Sequence, residues 1–258
     1  MTINVTGQVL YGTHTTDNLG PGFGDDVYMM TADNNVTDTI NGGRGSDTVD
    51  YSQSSIGVTI RLTDPALLTG VSGGTVETDF PTFQLNPVTH QFSFFEHHQV
   101  LANLTSIENA TGSDLNDTLI GNSGNNVLKG GGGIDTLTGG GGDDTFVFSH
   151  LSDSPAVPLG AGFYNSVDYI TDFATGHDHI DLRGLANETT GHVPLDFVDH
   201  FTGAAGQVTA GFMSDGSDKG TGFMVVADLN GDQAPDFEIF VHMSESHVRP
   251  AESDFILA

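Results

Sequence analysis

The chain has 258 residues, enough for one large or two small domains, and carries 34 Asp and Glu against 6 Lys and Arg, a formal net charge of −28. That charge repels nucleic acid and anionic membrane surfaces and attracts cations, and the absence of cysteine excludes disulfides and thiolate zinc sites. Hydrophobic residues form 36% of the chain in ordered alternation, which argues against full disorder. The acid is mostly Asp beside Gly and Asn, unlike the Glu-rich surface of a halophile. The start, MTINVTGQVLYG, lacks the basic and apolar regions of a signal peptide. No apolar stretch approaches the roughly 20 residues that span a bilayer. A soluble protein is expected, either cytoplasmic or exported by a route that does not read the N-terminus.

In chain order, nine-residue repeats come first. GTHTTDNLG (12–20) and PGFGDDVYM (21–29) are contiguous, and after a three-residue slip follow DNNVTDTIN (33–41) and GGRGSDTVD (42–50). Their sixth positions are Asp17, Asp26, Asp38 and Asp47, and their eighth are Leu19, Tyr28, Ile40 and Val49. The period then breaks. Val58, Ile60 and Leu62 in GVTIRL alternate like a half-buried strand. The Gly-, Thr- and Phe-rich stretch after it reads as a long loop or a hairpin, and LTSIEN (104–109) leads back to the period. A second block follows: GSDLNDTLI (112–120), GNSGNNVLK (121–129), GGGGIDTLT (130–138) and GGGGDDTFV (139–147). Here the sixth positions are Asp117, Asn126, Asp135 and Asp144, and the eighth are Leu119, Leu128, Leu137 and Phe146. A flexible Gly-rich linker would keep no fixed apolar position. Residues 149–258 have no nonapeptide period; DYITDF, HIDL, GFMVVADL and DFEIFVHM read as strands of an all-β cap. The expected division is a first repeat block (1–52), an insertion (53–111), a second repeat block (112–148) and a C-terminal cap (149–258).

Each unit divides into a six-residue turn and a three-residue strand whose middle, apolar residue points inward. Two units make one coil of a parallel β-roll, so turns two units apart stack in a column. Asp117 then lies near Asp135, Asn126 near Asp144, Asp17 near Asp38, and Asp26 near Asp47. Two carboxylates about 4 Å apart repel by roughly 4 kcal/mol at an effective dielectric of 20. Such a column requires a cation. Glycine lets the backbone adopt positive φ and aim carbonyls into the gap. Carbonyls and carboxylates together form an all-oxygen cage, which suits Ca²⁺ better than Mg²⁺ or Zn²⁺.

GGRGSDTVDYS, SIENATGSDLNDTLIGN and GGGGIDTLTGGGGDDTFVF resemble the RTX family of calcium-binding nonapeptide repeats. SVDYITDFATGHDHIDLRGL (166–185), VVADLNGDQAPDFEIFV (225–241) and the ending SDFILA are similar to the C-terminal domain of serralysin-type metalloproteases. The resemblance implies a β-roll filled with several Ca²⁺ ions, type I secretion machinery as a partner that reads the extreme C-terminus, and an extracellular location. It also implies a ligand set. Carbonyls of Asn122 and Gly124, with Asn126, would face Gly139, Gly141 and Asp144. Ser113, Leu115 and Asp117 would face Gly130, Gly132 and Asp135. Gly22, Gly24 and Asp26 would face Gly42, Arg44 and Asp47, and Asp17 would face Asp38. Gly131, Gly133, Gly140 and Gly142 complete the turns, and Asp168 and Asp178 are the acids of the following segment, which also holds Asp172 and Asp181. Asn126 in place of an acid and Leu115 in place of a turn glycine should weaken their pairs. His14, Thr15 and Val36 depart from turn glycine in the first block.

Asp228, Asn230, Asp232 and Asp236 occupy positions 1, 3, 5 and 9 of an EF-hand-like pattern, but Gln233 stands at position 6 and Ile239 at 12. The alternatives are a calcium site and a polar β-turn. Glu96, His97 and His98 suggest a transition-metal or pH-sensing role, but neighbouring strand histidines face opposite ways, so a surface or loop role is favoured. H-E-x-x-H, a P-loop and a cysteine nucleophile are all absent, and no enzyme is expected. Phe80, Phe83, Phe92, Phe94 and Phe95 crowd the insertion. They would form a small satellite core or a surface for an extracellular polysaccharide or host protein. The remaining rival is the secretion tail of a larger enzyme.

Overall fold

The computed structural model describes residues 9–12, 18–19, 22–31, 37–62, 74–85, 92–156, 167–214, 221–243 and 248–258. Among these, an eight-stranded and a twelve-stranded sheet face each other across one core, with a small pair of strands, Gly22–Phe23 and Gly43–Arg44, beside them. The protein is an all-β parallel roll. The first sheet runs Val9–Tyr11, Val27–Met29, Thr48–Asp50, Asn109–Thr111, Val127–Lys129, Thr145–Val147, His179–Asp181 and Phe255–Ile256, every neighbour parallel. The repeat strands fall at positions seven to nine because only there does an apolar residue sit between short, β-tolerant neighbours.

Register then stacks the inward residues one on another. Leu10, Tyr28, Val49, Ala110, Leu128, Phe146 and Ile180 form one ladder, ending at Phe255. Ile60, Leu119, Leu137, Ile170 and Val241 form the opposing one. All are buried except the half-buried Leu10. A fully buried leucine stabilises by roughly 2 kcal/mol, but no unit can bury its own without a neighbouring coil, so the roll forms as a stack.

The two repeat blocks share one roll. In the first sheet Thr48–Asp50 pairs directly with Asn109–Thr111. In the second, the intervening segment forms a hairpin, Gly74–Leu85 with Phe92–Thr105, spliced between Asp38–Asn41 and Thr59–Arg61. Past Glu77 and Ala102 its strands pair only with each other among the described residues. Glu96, His97, His98 and the five phenylalanines lie in this ribbon; their side-chain surroundings are outside the described structure, as are Asp17, His14, Thr15 and Val36. The second sheet continues from Thr136–Thr138 through Asp168–Phe173 and Phe237–Met243 into antiparallel Thr221–Asp228 and Gln207–Ser214. Large rings fill the core at and beyond the last repeat: Phe146 meets Phe173 at 6.2 Å, and Phe148 meets Phe237 edge-on at 5.5 Å. No described helix is long and apolar enough to cross a membrane.

Candidate metal centres in the stacked turns

Position six of each repeat is two residues before the inward residue, at the end of the turn. From there the carboxylate reaches back to the preceding turn of its column and accepts that turn's position-six amide. Asp47 Oδ1 accepts the Asp26 amide, Asp135 Oδ1 that of Asp117, and Asp144 Oδ1 that of Asn126, each at 2.8 Å. The pattern continues past the repeats: Asp168 Oδ1 accepts the Asp135 amide at 2.8 Å and Asp178 Oδ1 the Asp144 amide at 2.9 Å. The structure thus stacks Asp26 with Asp47, Asp117 with Asp135 and Asn126 with Asp144, as the spacing places them. Asp38 is buried and lies in register with Ala102 of the hairpin.

The second carboxylate oxygen is what marks these turns. Oδ2 of Asp47, Asp135 and Asp168 is inaccessible and has no hydrogen bond, although buried acceptors are nearly always satisfied. Carbonyls turn toward the same places. A Cβ added at Gly42 would strike Asp47 Oδ2 and the Ser106 carbonyl oxygen; at Gly112, Asp117 Oδ2 and the Gly130 oxygen; at Gly121, Asn126 Oδ1 and the Gly139 oxygen. Position one is therefore glycine where a side-chain oxygen and the next turn's carbonyl converge. Among the described residues no three His, Asp or Glu side chains converge as a metal cluster. An ion here would draw most ligands from the backbone, which fits the 6–8 oxygens of Ca²⁺.

Burial dominates the electrostatics. It pushes the Asp135 carboxyl up to about 9, with the charge of Asp168 adding to the effect. Burial likewise raises Asp168 to about 8 and Asp144 to about 7. Asp117 rises to about 6, held back by hydrogen bonds from Val58 and Ser113. Asp47 and Asp178 shift upward for the same reason. Three of the described arginines are engaged elsewhere: Arg61 pairs with Glu77, Arg183 with Asp181 and Arg249 with Asp199.

The turns differ where glycine is missing. Gly131, Gly133, Gly140 and Gly142 all have positive φ. Turn 112–117 is instead closed by side chains: Asp117 Oδ2 takes the Ser113 amide and hydroxyl, and Ser113 Oγ takes the Leu115 amide at 3.1 Å. Asn122 accepts the Gly124 amide through Oδ1 at 2.8 Å in the same manner. Leu115 itself is exposed.

Three contributions are not visible in the repeat pattern. Glu108 joins the Asp26 column, its Oε2 accepting the Asp47 amide at 2.9 Å, and burial raises its carboxyl too. Its only sequence signal is the two-residue offset from inward Ala110. Asp172 accepts the amides of both Gly139 and Gly140, at 2.8 and 2.9 Å, anchoring that turn from the next strand. Position five carries a second ladder of opposite sense: side-chain oxygens of Asp25, Asn116 and Asn125 each accept, at 2.9 Å, the position-five amide of the following turn. Asn116→Ala should therefore lower stability of the calcium-loaded protein by about 1 kcal/mol. Urea denaturation measures this, and an unshifted midpoint would show that the ladder contributes nothing.

The 228–236 loop is closed by its own groups. Asp228 accepts the Gly231 and Gln233 amides at 2.7 and 2.9 Å, and Asp236 accepts the Leu229 amide at 2.8 Å and Asn230 Nδ2 at 3.0 Å. Asp232 Oδ1 accepts the Ala234 amide at 2.8 Å. Asp181 forms a bidentate pair with Arg183, Nε donating to Oδ1 at 3.0 Å and Nη2 to Oδ2 at 2.6 Å.

The family described as peptidase M10 serralysin C terminal matches residues 89–257, and the RTX calcium-binding nonapeptide repeat matches residues 33–52. The chain is similar to metalloprotease AprA of Pseudomonas entomophila, 40% identical over 64% of this chain and 35% of that protein. It is also similar to serralysin of Proteus mirabilis, 37% identical over 26% of this chain and 12% of that one. It thus spans about a third of the length of the first relative. Among solved structures, the AlgE6R2 subunit of the Azotobacter vinelandii mannuronan C5-epimerase aligns with a TM-score of 0.38 and 24% identity, over 59% of this chain and 80% of that one. Extracellular lipase LipA from Serratia marcescens aligns at 0.36 and 19%, over 98% and 38%.

Proposed function

We propose, since the chain belongs to the peptidase M10 serralysin C-terminal family and carries RTX calcium-binding repeats, that it is a non-catalytic region that passes through a type I system unfolded and folds outside the cell on binding calcium. The observation behind this reading is the set of buried, unpartnered oxygens on Asp47, Asp135 and Asp168. In this reading Asp26, Asp47 and Glu108 serve the first column with the carbonyls of Gly22, Gly24, Gly42 and Arg44. Asp144 and Asp178 serve its continuation, with carbonyls of Asn122, Gly124, Gly139 and Gly141. Asp117, Asp135 and Asp168 serve the opposite column, with carbonyls of Ser113, Leu115, Gly130 and Gly132.

Bound calcium supplies the positive charge these carboxylates lack. The chain's own residues do the rest: Oδ1 at position six staples adjacent turns, Oδ2 of Asp47, Asp135 and Asp168 stays open toward the gap, and the position-one glycines leave that gap unfilled. Binding that favours only the folded state adds about 2.7 kcal/mol per site at one hundred times Kd, so several sites make folding steeply calcium-dependent. The relatives' activity enters only as context: this chain has no H-E-x-x-H, and its role beside a catalytic partner would be export and folding. Isothermal titration tests the reading. Calcium should bind at several equivalents per chain and magnesium far more weakly; a flat calcium titration would refute it.

A further inference from the structure

The column that begins at Asp26 crosses from one repeat block to the other between Glu108 and Asn126, and this step is built differently. At the described acid-bearing steps, a position-six carboxylate accepts an amide from the preceding turn. Asn126 does the reverse: its Nδ2 donates to the Glu108 carbonyl oxygen at 2.6 Å, while its Oδ1 accepts the Asn122 amide at 2.8 Å. The two partners settle the orientation of the amide. Turned over, it would set NH₂ against N–H and oxygen against oxygen. The Glu108 carboxylate does not serve this step, because Oε2 faces the other way and holds the Asp47 amide.

An acid at 126 would have a different outcome. Asn126 is 1% exposed, so a carboxylate there would oppose the Glu108 carbonyl, acceptor against acceptor, out of contact with water. Such a juxtaposition is costly unless a donor or a cation lies between. Asparagine provides the donor from within the chain.

We propose that the Glu108–Asn126 step is a cation-free joint between the two repeat blocks, kept so by the Asn126 amide, and that Asn126→Asp converts it into one further divalent-cation site. This rests on the reading that the acid-bearing steps hold calcium. The test uses the full chain, wild type and Asn126→Asp, with calcium per chain measured by equilibrium dialysis and metal analysis, and folding followed by circular dichroism over a calcium titration. The variant should bind one more calcium than wild type, and its folding transition should be steeper and shifted to higher calcium. An equal count in the two proteins overturns the joint, and so does a variant that stays unfolded at every calcium concentration. Absence of calcium from the wild type would instead sink the calcium reading itself, so the two failures are told apart.

Discussion

In EDTA at pH 7 the protein is expected to lose its β-sheet circular dichroism, and to regain it either in millimolar calcium or, with EDTA still present, at pH 5. The reason is the burial of carboxyls with no charge partner. Folding raises Asp135 from 3.8 to about 9 and Asp168 to about 8. A group whose folded value is raised contributes its stability below the unfolded value, near pH 4, and loses it as pH climbs through 8–9. At pH 7 each of these two must take up a proton to fold, at a cost of roughly 4 kcal/mol. That is already comparable to the 5–15 kcal/mol that holds a typical domain together. Lowering the pH from 7 to 5 removes roughly 2.7 kcal/mol of this cost per group. A ligating carboxylate must be ionised, so protons and calcium compete for the folded chain: its calcium affinity should fall as pH falls, and the calcium needed to fold the chain should fall as well, because proton uptake already favours the folded state. A calcium-free chain equally β-structured at pH 7 and pH 5 would contradict this account.

Gly131→Ala should be the most damaging single methyl in the second repeat block. Gly131 has φ +101°, which an L side chain adopts only at about 1–2 kcal/mol. Its added Cβ would also strike the Ser113 carbonyl oxygen, the same atom that accepts the Gly132 amide at 3.1 Å between the stacked turns. The turns would have to separate, and the oxygens around Asp117 and Asp135 with them. Several kcal/mol of stability and a more than tenfold higher calcium midpoint are expected. Gly176→Ala is the control, since Gly176 has φ +83° but nothing within 4 Å of an added Cβ. It should cost only the backbone term, about 1 kcal/mol. Equal losses in the two variants, read from calcium-dependent unfolding curves, would mean that turn stacking is not why position two is glycine.

Much of the candidate site is legible in the amino-acid sequence. A nine-residue period with an acid at position six and an apolar residue at position eight is a local pattern, and each of those features depends only on strand pleat and turn length. That is why Leu119, Leu128, Leu137 and Phe146 lie at the centre of their strands, fully buried, and why Asp117 stacks with Asp135. Glu108 is not legible in this way, because it belongs to the column by a contact 61 residues distant, and no repeat surrounds it. Nor is the position-five ladder, because Asp25, Asn116 and Asn125 look like ordinary turn residues until the next turn supplies the amide.

The hairpin shows the same limit from the other side. Alternation in GVTIRL marks a strand and LTSIEN leads back to the period, but whether the segment between them hangs from the roll or enters its sheet depends on which edges are open. Asp38–Asn41 and Thr59–Arg61 both offered one, and the hairpin took both. By itself the sequence determined the coil, its inward ladder and the demand of its acids for a cation, because these follow from short-range period and charge. Only the tertiary structure decided that two repeat blocks share one column, through Glu108 and a reversed amide at Asn126. Pairing between distant turns is set by which hydrogen-bond donors and acceptors are left over once the coils have stacked.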